Sequence, residues 1–171
     1  MSHILKLRDE RTSTYLYVTG PDGEMALAVS DMTICDRIDP DYLASHYALL
    51  QNARVIVCDA NIPDSSLHYL AEQFRAPIFC DPVSTAKAEK LRPILSRIHT
   101  LKPNRLEAEL LSGVRIESRA DAETAARALL DAGVQRVFLS LGGDGMYAAT
   151  RQESCWMDNL PCRMVNTTGC G

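Results

Sequence analysis

Short apolar runs alternate with longer segments whose apolar positions recur at helical spacing along most of the chain. Short runs bounded by glycine, proline or polar residues are typical of strands. They predict strands at 15–19, 25–29, 54–58, 77–80, 98–101 and 136–141, followed by a β-rich segment at 146–165. The turn-forming residues at 20–24 predict a hairpin between the first two strands.

The segments between the other runs have the apolar stripe of amphipathic helices. They predict helices at 41–51, 65–74, 86–94, 104–111 and 120–132. Strands that alternate with helices of this length form parallel βαβ units. We therefore predict the α/β class, with a largely parallel, doubly wound sheet whose strands are buried by helices on both faces.

The composition is that of an ordinary globular domain. The 171 residues are 46% hydrophobic and 23% charged, which is enough for one sizeable core. A net charge of -4 argues against a nucleic acid polymer as partner, because phosphate-backbone binding depends on clustered Lys and Arg. The longest apolar stretches are too short to span a membrane. Small-molecule chemistry in the cytoplasm is the resulting expectation.

The six cysteines include no CxxC pair and the four histidines are scattered, so the sequence does not indicate a structural zinc site. Cys58 and Cys80 lie in apolar runs and are expected to be buried, reduced thiols. Cys170 lies in a glycine-rich segment, where a small residue fits.

Polar residues and glycines directly follow several predicted strands. Ligands of open α/β sheets bind beyond the carboxyl ends of the strands, which makes these residues the first candidates for a functional site. The candidates are Asp59, Asn61, Asp81, Lys102, Asn104, Ser140, Gly142, Gly143 and Gly145.

Asn104 and Glu107 lie three residues apart at the start of the predicted helix 104–111, hence on one face of it. Such a pair can organise a hydrated magnesium ion and phosphate oxygens, because magnesium keeps several waters and takes few protein ligands. The same spacing is that of a capping box, with Asn104 as N-cap and Glu107 at N3. On spacing alone the capping box is the commoner explanation.

Two further segments could each either bind a ligand or simply form a turn. The glycines in segment 140–145 would let a nucleotide lie against the backbone, but a tight strand-to-strand turn is the commoner reason for them. Asp81, in the segment 81–84, could supply a carboxylate near a metal or bond to the backbone of its own turn.

The last six residues, 166–171, form a segment rich in hydroxyl groups and glycine. Such a segment can direct backbone N–H groups at an anion, because glycine permits tight turns and close approach. We therefore expect an anion-binding loop there.

Together these segments resemble one family, the ribokinase-like, pfkB-type carbohydrate kinases. The matching pieces are Asp81-Pro82, Lys102-Pro103-Asn104-x-x-Glu107, Ser140-Leu141-Gly142-x-x-Gly145 and Thr167-Thr168-Gly169-Cys170-Gly171. The resemblance implies a three-layer αβα fold, of which this chain is a partial domain, and a kinase that uses ATP and Mg²⁺. A monovalent cation such as K⁺ and a homo-oligomer are compatible with it.

The resemblance also assigns roles to the matching positions. The anion hole for the transferring phosphoryl group falls on Thr168, Gly169, Cys170 and Gly171. The resemblance assigns the binding of magnesium, through water, and of phosphate to Asn104 and Glu107. It places the nucleotide near Ser140, Gly142 and Gly145. Asp81 and Lys102 are also expected to bind the cofactor.

Two positions depart from the family pattern, Asn166 in place of Asp and Cys170 in place of Ala. The family's catalytic Asp, the general base, is expected directly after Gly171, and most sugar-binding residues are expected upstream. The resemblance thus implies lid-type, substrate-side β segments at 1–31 and a nucleotide-side α/β portion at 40–171. It also implies little kinase activity for these 171 residues alone.

Within the family, segment 12–32 resembles pseudouridine kinases more than ribokinases. This implies transfer of the ATP γ-phosphoryl to the ribose 5′-hydroxyl of a nucleoside. Two alternatives stay open: a kinase of another sugar or nucleoside such as ribose, and a nucleotide-binding module without catalytic function.

Overall fold

The computed structural model describes residues 3–20 and 25–160, without the side chains of Met25 and Ala26. The described residues form two separate sheets, one of two strands and one of six. The strands are β1 (Thr14–Thr19), β2 (Met25–Asp31), β3 (Ile56–Asp59), β4 (Ile78–Asp81), β5 (Ile98–Leu101), β6 (Arg136–Ser140), β7 (Met146–Ala149) and β8 (Ser154–Met157).

Six α-helices and three 3₁₀ helices connect these strands in the described residues. The α-helices are α1 (Pro40–Ser45), α2 (Tyr47–Gln51), α3 (Asp64–Gln73), α4 (Thr85–Ala88), α5 (Arg105–Ser112) and α6 (Arg119–Asp131). The 3₁₀ helices are Thr33–Arg37, Glu89–Arg97 and Gly142–Asp144. In the part of the chain that the structure covers, no helix has both the length and the apolar character needed to cross a membrane.

The large sheet follows the order of the chain, from β3 to β8. Strands β3 to β6 are parallel, whereas β7 and β8 add to β6 as an antiparallel meander. The predicted α/β class with a largely parallel sheet is confirmed. Because the strands succeed one another in one direction and such crossovers are right-handed, the connecting helices share one face.

The burial of residues along the strands shows which face of the sheet the helices cover. Ile56 and Ile78 are 6% and 1% exposed, whereas Val57, the next residue along β3, is 76% exposed. On the less covered face the rings of Phe79 and His99 stack, with centroids 5.3 Å apart. The described residues therefore provide two of the three predicted layers, and the expectation that these strands are buried on both faces is wrong for them.

The core lies between the sheet and this helical layer. Its large side chains are almost completely buried, among them Leu67 and Phe74 from the α3 region, Leu91 and Leu129. Burying an apolar side chain of this size contributes about 1.5–3 kcal/mol. The helices also pack against one another, α1 on α3 and α5 on α6.

Two predicted helices are irregular in the structure. The predicted helix 41–51 is broken at His46, where the Ser45 hydroxyl and the His46 ring hydrogen-bond to the Tyr42 carbonyl and so compete with the helical pattern. The predicted helix 86–94 is mostly the 3₁₀ helix Glu89–Arg97. Pro93 lies inside it and cannot donate the hydrogen bond that an α-helix needs there.

The small sheet is the antiparallel pair predicted from the first two apolar runs. The register places Leu16 opposite Val29 and Val18 opposite Leu27, so these four side chains share one face. All four are more than 60% exposed. The predicted turn at 20–24 lies outside the described residues except for Gly20.

Cys58 and Cys80 are in register on neighbouring strands and are free thiols. Cys80 is buried, as predicted, and Cys58 is half-buried. A hydrogen bond with Cys58 and burial both raise the pKa of the Cys80 thiol. Cys80 is therefore a core residue that stays protonated at neutral pH.

The one-sided burial of the sheet predicts unequal effects of neighbouring substitutions. Ile78→Ala is expected to lower the free energy of unfolding of the 171-residue chain by about 2–5 kcal/mol, because it opens a cavity under the helices. Val57→Ala removes exposed methyl groups and is expected to change it by less than about 0.5 kcal/mol. Urea denaturation of the two variants tests this, and equal losses would contradict it.

Candidate active site

The carboxyl ends of β3 to β6 bring the predicted candidates to one edge of the sheet. Asp59 and Asp81 are opposite each other in register at the ends of β3 and β4. Lys102 follows β5, and Ser140 ends β6 and pairs with Asn104 in an isolated parallel bridge. The residues predicted from four separate segments thus form one row.

Asn104 and Glu107 form a complete capping box at the start of α5. The Glu107 N–H donates to Asn104 Oδ1 over 3.0 Å, and the Asn104 N–H donates to Glu107 Oε2 over 2.8 Å. The structural explanation of this spacing is therefore correct. It does not exclude a role in ligand binding, because each side chain keeps a second polar atom, the Asn104 amide NH₂ and Glu107 Oε1.

Glu107 is only 2% exposed, which is unusual for a carboxylate. Burial raises the pKa of Glu107, and the Asp81 charge acts in the same direction. The hydrogen bond from the Asn104 backbone and the Lys102 charge lower that pKa and partly offset the rise. Asp81, Lys102 and Glu107 are thus close enough to influence one another electrostatically.

Asp81 combines a structural contact with accessibility. Its Oδ1 accepts a hydrogen bond from the Val83 N–H over 2.8 Å, which is the predicted bond to the backbone of its own turn. Its Oδ2 lies 3.6 Å from Lys102 Nζ, and the two side chains are 46% and 40% exposed. The pair is therefore within reach of a ligand.

Val83 has a φ of 69°. A β-branched residue rarely adopts this left-handed conformation, and such strain often occurs at functional sites. The Val83 N–H donates to Asp81, so this strained residue lies directly beside a carboxylate of the candidate site.

Ser140 ties β6 to the segment that precedes α5. Its N–H donates to the Pro103 carbonyl over 3.0 Å, and its hydroxyl lies 3.4 Å from the same oxygen. The nucleotide segment and the magnesium segment predicted from the sequence are therefore held side by side.

Residues 142–144 form a single 3₁₀ turn between the antiparallel strands β6 and β7, so the predicted strand-to-strand turn is correct. Gly142 and Gly145 have φ values of 60° and 89°. At Gly145 a Cβ atom would lie 2.3 Å from the Met157 carbonyl oxygen, so a side chain does not fit. Gly143 has open space around it.

Sequence reasoning missed two charged residues near this edge. Lys87 Nζ hydrogen-bonds to Asn61 Oδ1, and the Asn61 N–H donates to Asp59 over 2.9 Å. Arg105 forms an ion pair with Asp144. The only sequence signal for either residue is its place in the first helical turn or two after a strand.

The predicted anion hole of Thr168, Gly169, Cys170 and Gly171 lies outside the described residues. Within the described residues, no group of three or more His, Cys, Asp or Glu side chains is arranged to hold a metal ion.

The model of the pfkB family of carbohydrate kinases matches residues 1–171. The chain belongs to this family. It is 43% identical to a pseudouridine kinase of Escherichia coli K12 over 164 residues, which are 95% of the chain and 52% of that relative. The chain thus spans about half the length of this relative.

Solved ribokinases share the fold. The ribokinase of Thermotoga maritima superposes with a TM-score of 0.75 at 21% identity, over 92% of the chain and 51% of that protein. The Arabidopsis thaliana ribokinase complexed with ribose and ATP gives a TM-score of 0.61 at 24% identity, over 73% of the chain and 41% of that protein. The predicted ribokinase-like α/β fold is thereby confirmed.

Glu107→Gln is expected to separate the two roles of Glu107. Glutamine can still accept the capping hydrogen bond, but it has no charge to bury. Because folding raises the pKa of Glu107 above 4.5, the wild type loses stability as the pH rises through 4.5 and the higher folded pKa, and the variant does not. The variant should equal the wild type near pH 4 and match or exceed it at pH 7 in denaturant titrations.

Glu117→Gln, at an exposed carboxylate, is the matched control and should leave this pH dependence unchanged. A Glu107→Gln variant that equals the wild type near pH 4 but is less stable at pH 7 would contradict this, because it would show that the fold needs the charge.

Gly145→Ala and Gly143→Ala test the geometry of the glycine turn between β6 and β7. Gly145→Ala should lower the stability by about 1–3 kcal/mol, because it combines a positive φ with a clash against the Met157 carbonyl. Gly143→Ala, two residues away, should be close to neutral. Thermal unfolding measures both, and a destabilised Gly143→Ala variant would contradict this description of the loop.

Proposed function

We propose that the protein is an ATP-dependent kinase that transfers the γ-phosphoryl group to the 5′-hydroxyl of a ribosyl group, that of pseudouridine in particular. The observation that carries this proposal is the row of Asp81, Lys102, Asn104, Glu107 and Ser140 at one sheet edge of a pfkB family chain. Identity of 43% to a pseudouridine kinase, against 21% and 24% to the two ribokinases, favours pseudouridine over ribose.

Electrostatics support phosphate binding at this edge. The half-exposed Lys102 ammonium can neutralise phosphate oxygens, and its ion pair with Asp81 keeps it near the end of β5. In phosphoryl transfer the protein contributes mainly position and charge stabilisation, so fixed charges of this kind are the main requirement.

The donor set fits a hydrated magnesium ion. Glu107 Oε1 is a hard oxygen ligand for the ion or its waters, and the Asn104 amide can donate to a phosphate oxygen. Bound magnesium would neutralise the phosphate charges. The capping box holds both side chains in place before any ligand arrives, which lowers the entropic cost of binding.

The remaining roles follow the family resemblance. The turn at 142–145 lies beside Ser140 and would accept the nucleotide, and Thr168 to Gly171 would form the anion hole. We place the reaction in the cytoplasm, where ATP is supplied.

A direct assay tests the proposal. The full-length protein is incubated with MgATP and pseudouridine, uridine, ribose or fructose, and ADP and the phosphorylated product are measured by mass spectrometry. Pseudouridine should give a 5′-phosphate monoester at the highest kcat/KM. Glu107→Gln should reduce kcat/KM by about tenfold or more, because it removes the charged oxygen ligand. Glu117→Gln should retain wild-type activity.

The other outcomes have distinct meanings. Turnover of ribose but not pseudouridine would make the protein a kinase of another sugar. ATP binding without turnover of any acceptor would favour a nucleotide-binding module and overturn the proposed activity.

A further inference from the structure

Arg105 connects the two segments that the proposed function assigns to magnesium and to the nucleotide. It is the first residue of α5, between Asn104 and Glu107. Its guanidinium reaches Asp144 in the turn 142–144, which is 39 residues away in the sequence. One side chain thus joins the start of α5 to the glycine turn.

The guanidinium is anchored by a second contact. Arg105 Nη1 donates to the Ile116 carbonyl over 2.9 Å, while Nη2 faces Asp144. The Ile116 N–H in turn donates to Glu109 Oε1 over 2.7 Å, so the acceptor carbonyl belongs to a segment fixed on α5. Arg105 is accordingly only 33% exposed, whereas its partner Asp144 is 66% exposed.

The turn that Asp144 belongs to has few other anchors. Two of its residues are glycines, which have no side chains to pack. Its carbonyl at Gly142 accepts a hydrogen bond from Asn159 over 2.7 Å, and its backbone closes through Leu141 and Gly145. Asp144 has the only side chain of the turn 142–144 that can hold it to α5.

We propose that Arg105 and Asp144 form a brace that positions the glycine turn against the start of α5 for nucleotide binding. Arg105 is thereby a positioning residue for the ATP side of the site. Arginine suits this role because its planar group can donate to Ile116 and Asp144 at once, which a lysine cannot do with the same geometry. The inference deepens the proposed function and rests on it.

The brace makes a specific kinetic prediction. Arg105→Ala and Asp144→Ala should each raise the KM for ATP about two- to fivefold, the effect expected of a partly exposed ion pair. The KM for the nucleoside should not change, because the proposed function assigns the turn to ATP and not to the acceptor. The double variant should be no worse than either single variant, because both remove the same contact. Arg105→Lys should restore part of the loss.

Arg115→Ala is the matched control. Arg115 forms an arginine–carboxylate pair with Glu117 over 2.7 Å, but that pair is confined to one exposed segment. This variant should keep wild-type values of both KM constants.

Three results would overturn the brace. Wild-type KM for ATP in both alanine variants would show that the contact has no effect. Equal losses for ATP and the nucleoside with a lower melting temperature would show a general structural role. Tighter ATP binding by Asp144→Ala would show that Asp144 competes with phosphate for Arg105.

A measurement without ligand separates the brace from the proposed activity. Amide hydrogen exchange at 142–145 should be faster in Arg105→Ala than in the wild type and unchanged in Arg115→Ala. If the wild type binds no ATP, the proposed function fails, and this exchange experiment still decides whether Arg105 holds the turn. Unchanged exchange in Arg105→Ala would overturn the brace itself.

Discussion

The register of the four parallel strands determines where the candidate residues at the strand ends lie within the described part of the chain. Each strand ends at the same edge, so Asp81 meets Asp59 across one pairing, and Ser140 meets Asn104 across another. The helical layer then buries one face of the sheet and keeps this register fixed, because a slip by one residue would turn the apolar side chains to the other face. The chemistry at the edge thus depends on apolar residues far from it.

The capping box at α5 gives Asn104 and Glu107 a structural role that is compatible with the proposed functional one. Asn104 and Glu107 each use one side-chain oxygen to begin the helix, at the end of the segment that follows β5. The cost is a carboxylate that is almost completely buried and that feels the charges of Asp81 and Lys102. Val83, with its left-handed φ, likewise lies beside a candidate carboxylate, because its N–H donates to Asp81.

Sequence patterns predict the elements and the row of strand-end residues well, because period and turn chemistry are local properties. They fail where a local interaction competes with the hydrogen bonds of an α-helix. At His46 the ring and the neighbouring hydroxyl interrupt a helix, and Pro93 favours a 3₁₀ helix. They also miss Lys87 and Arg105, because pairing with Asn61 and Asp144 depends on how distant segments meet. Spacing alone could not show whether Glu107 caps the helix or faces a ligand.

The stacked rings of Phe79 and His99 impose a chemical condition on the less covered face of the sheet. His99 Nδ1 lies 2.8 Å from the Thr100 hydroxyl, which accounts for one ring nitrogen. If another layer of protein packs there, Nε2 loses water and needs a hydrogen-bonding partner from that layer. A purely aliphatic surface would therefore be a poor match, and a suitable one must place a polar atom opposite an otherwise apolar patch.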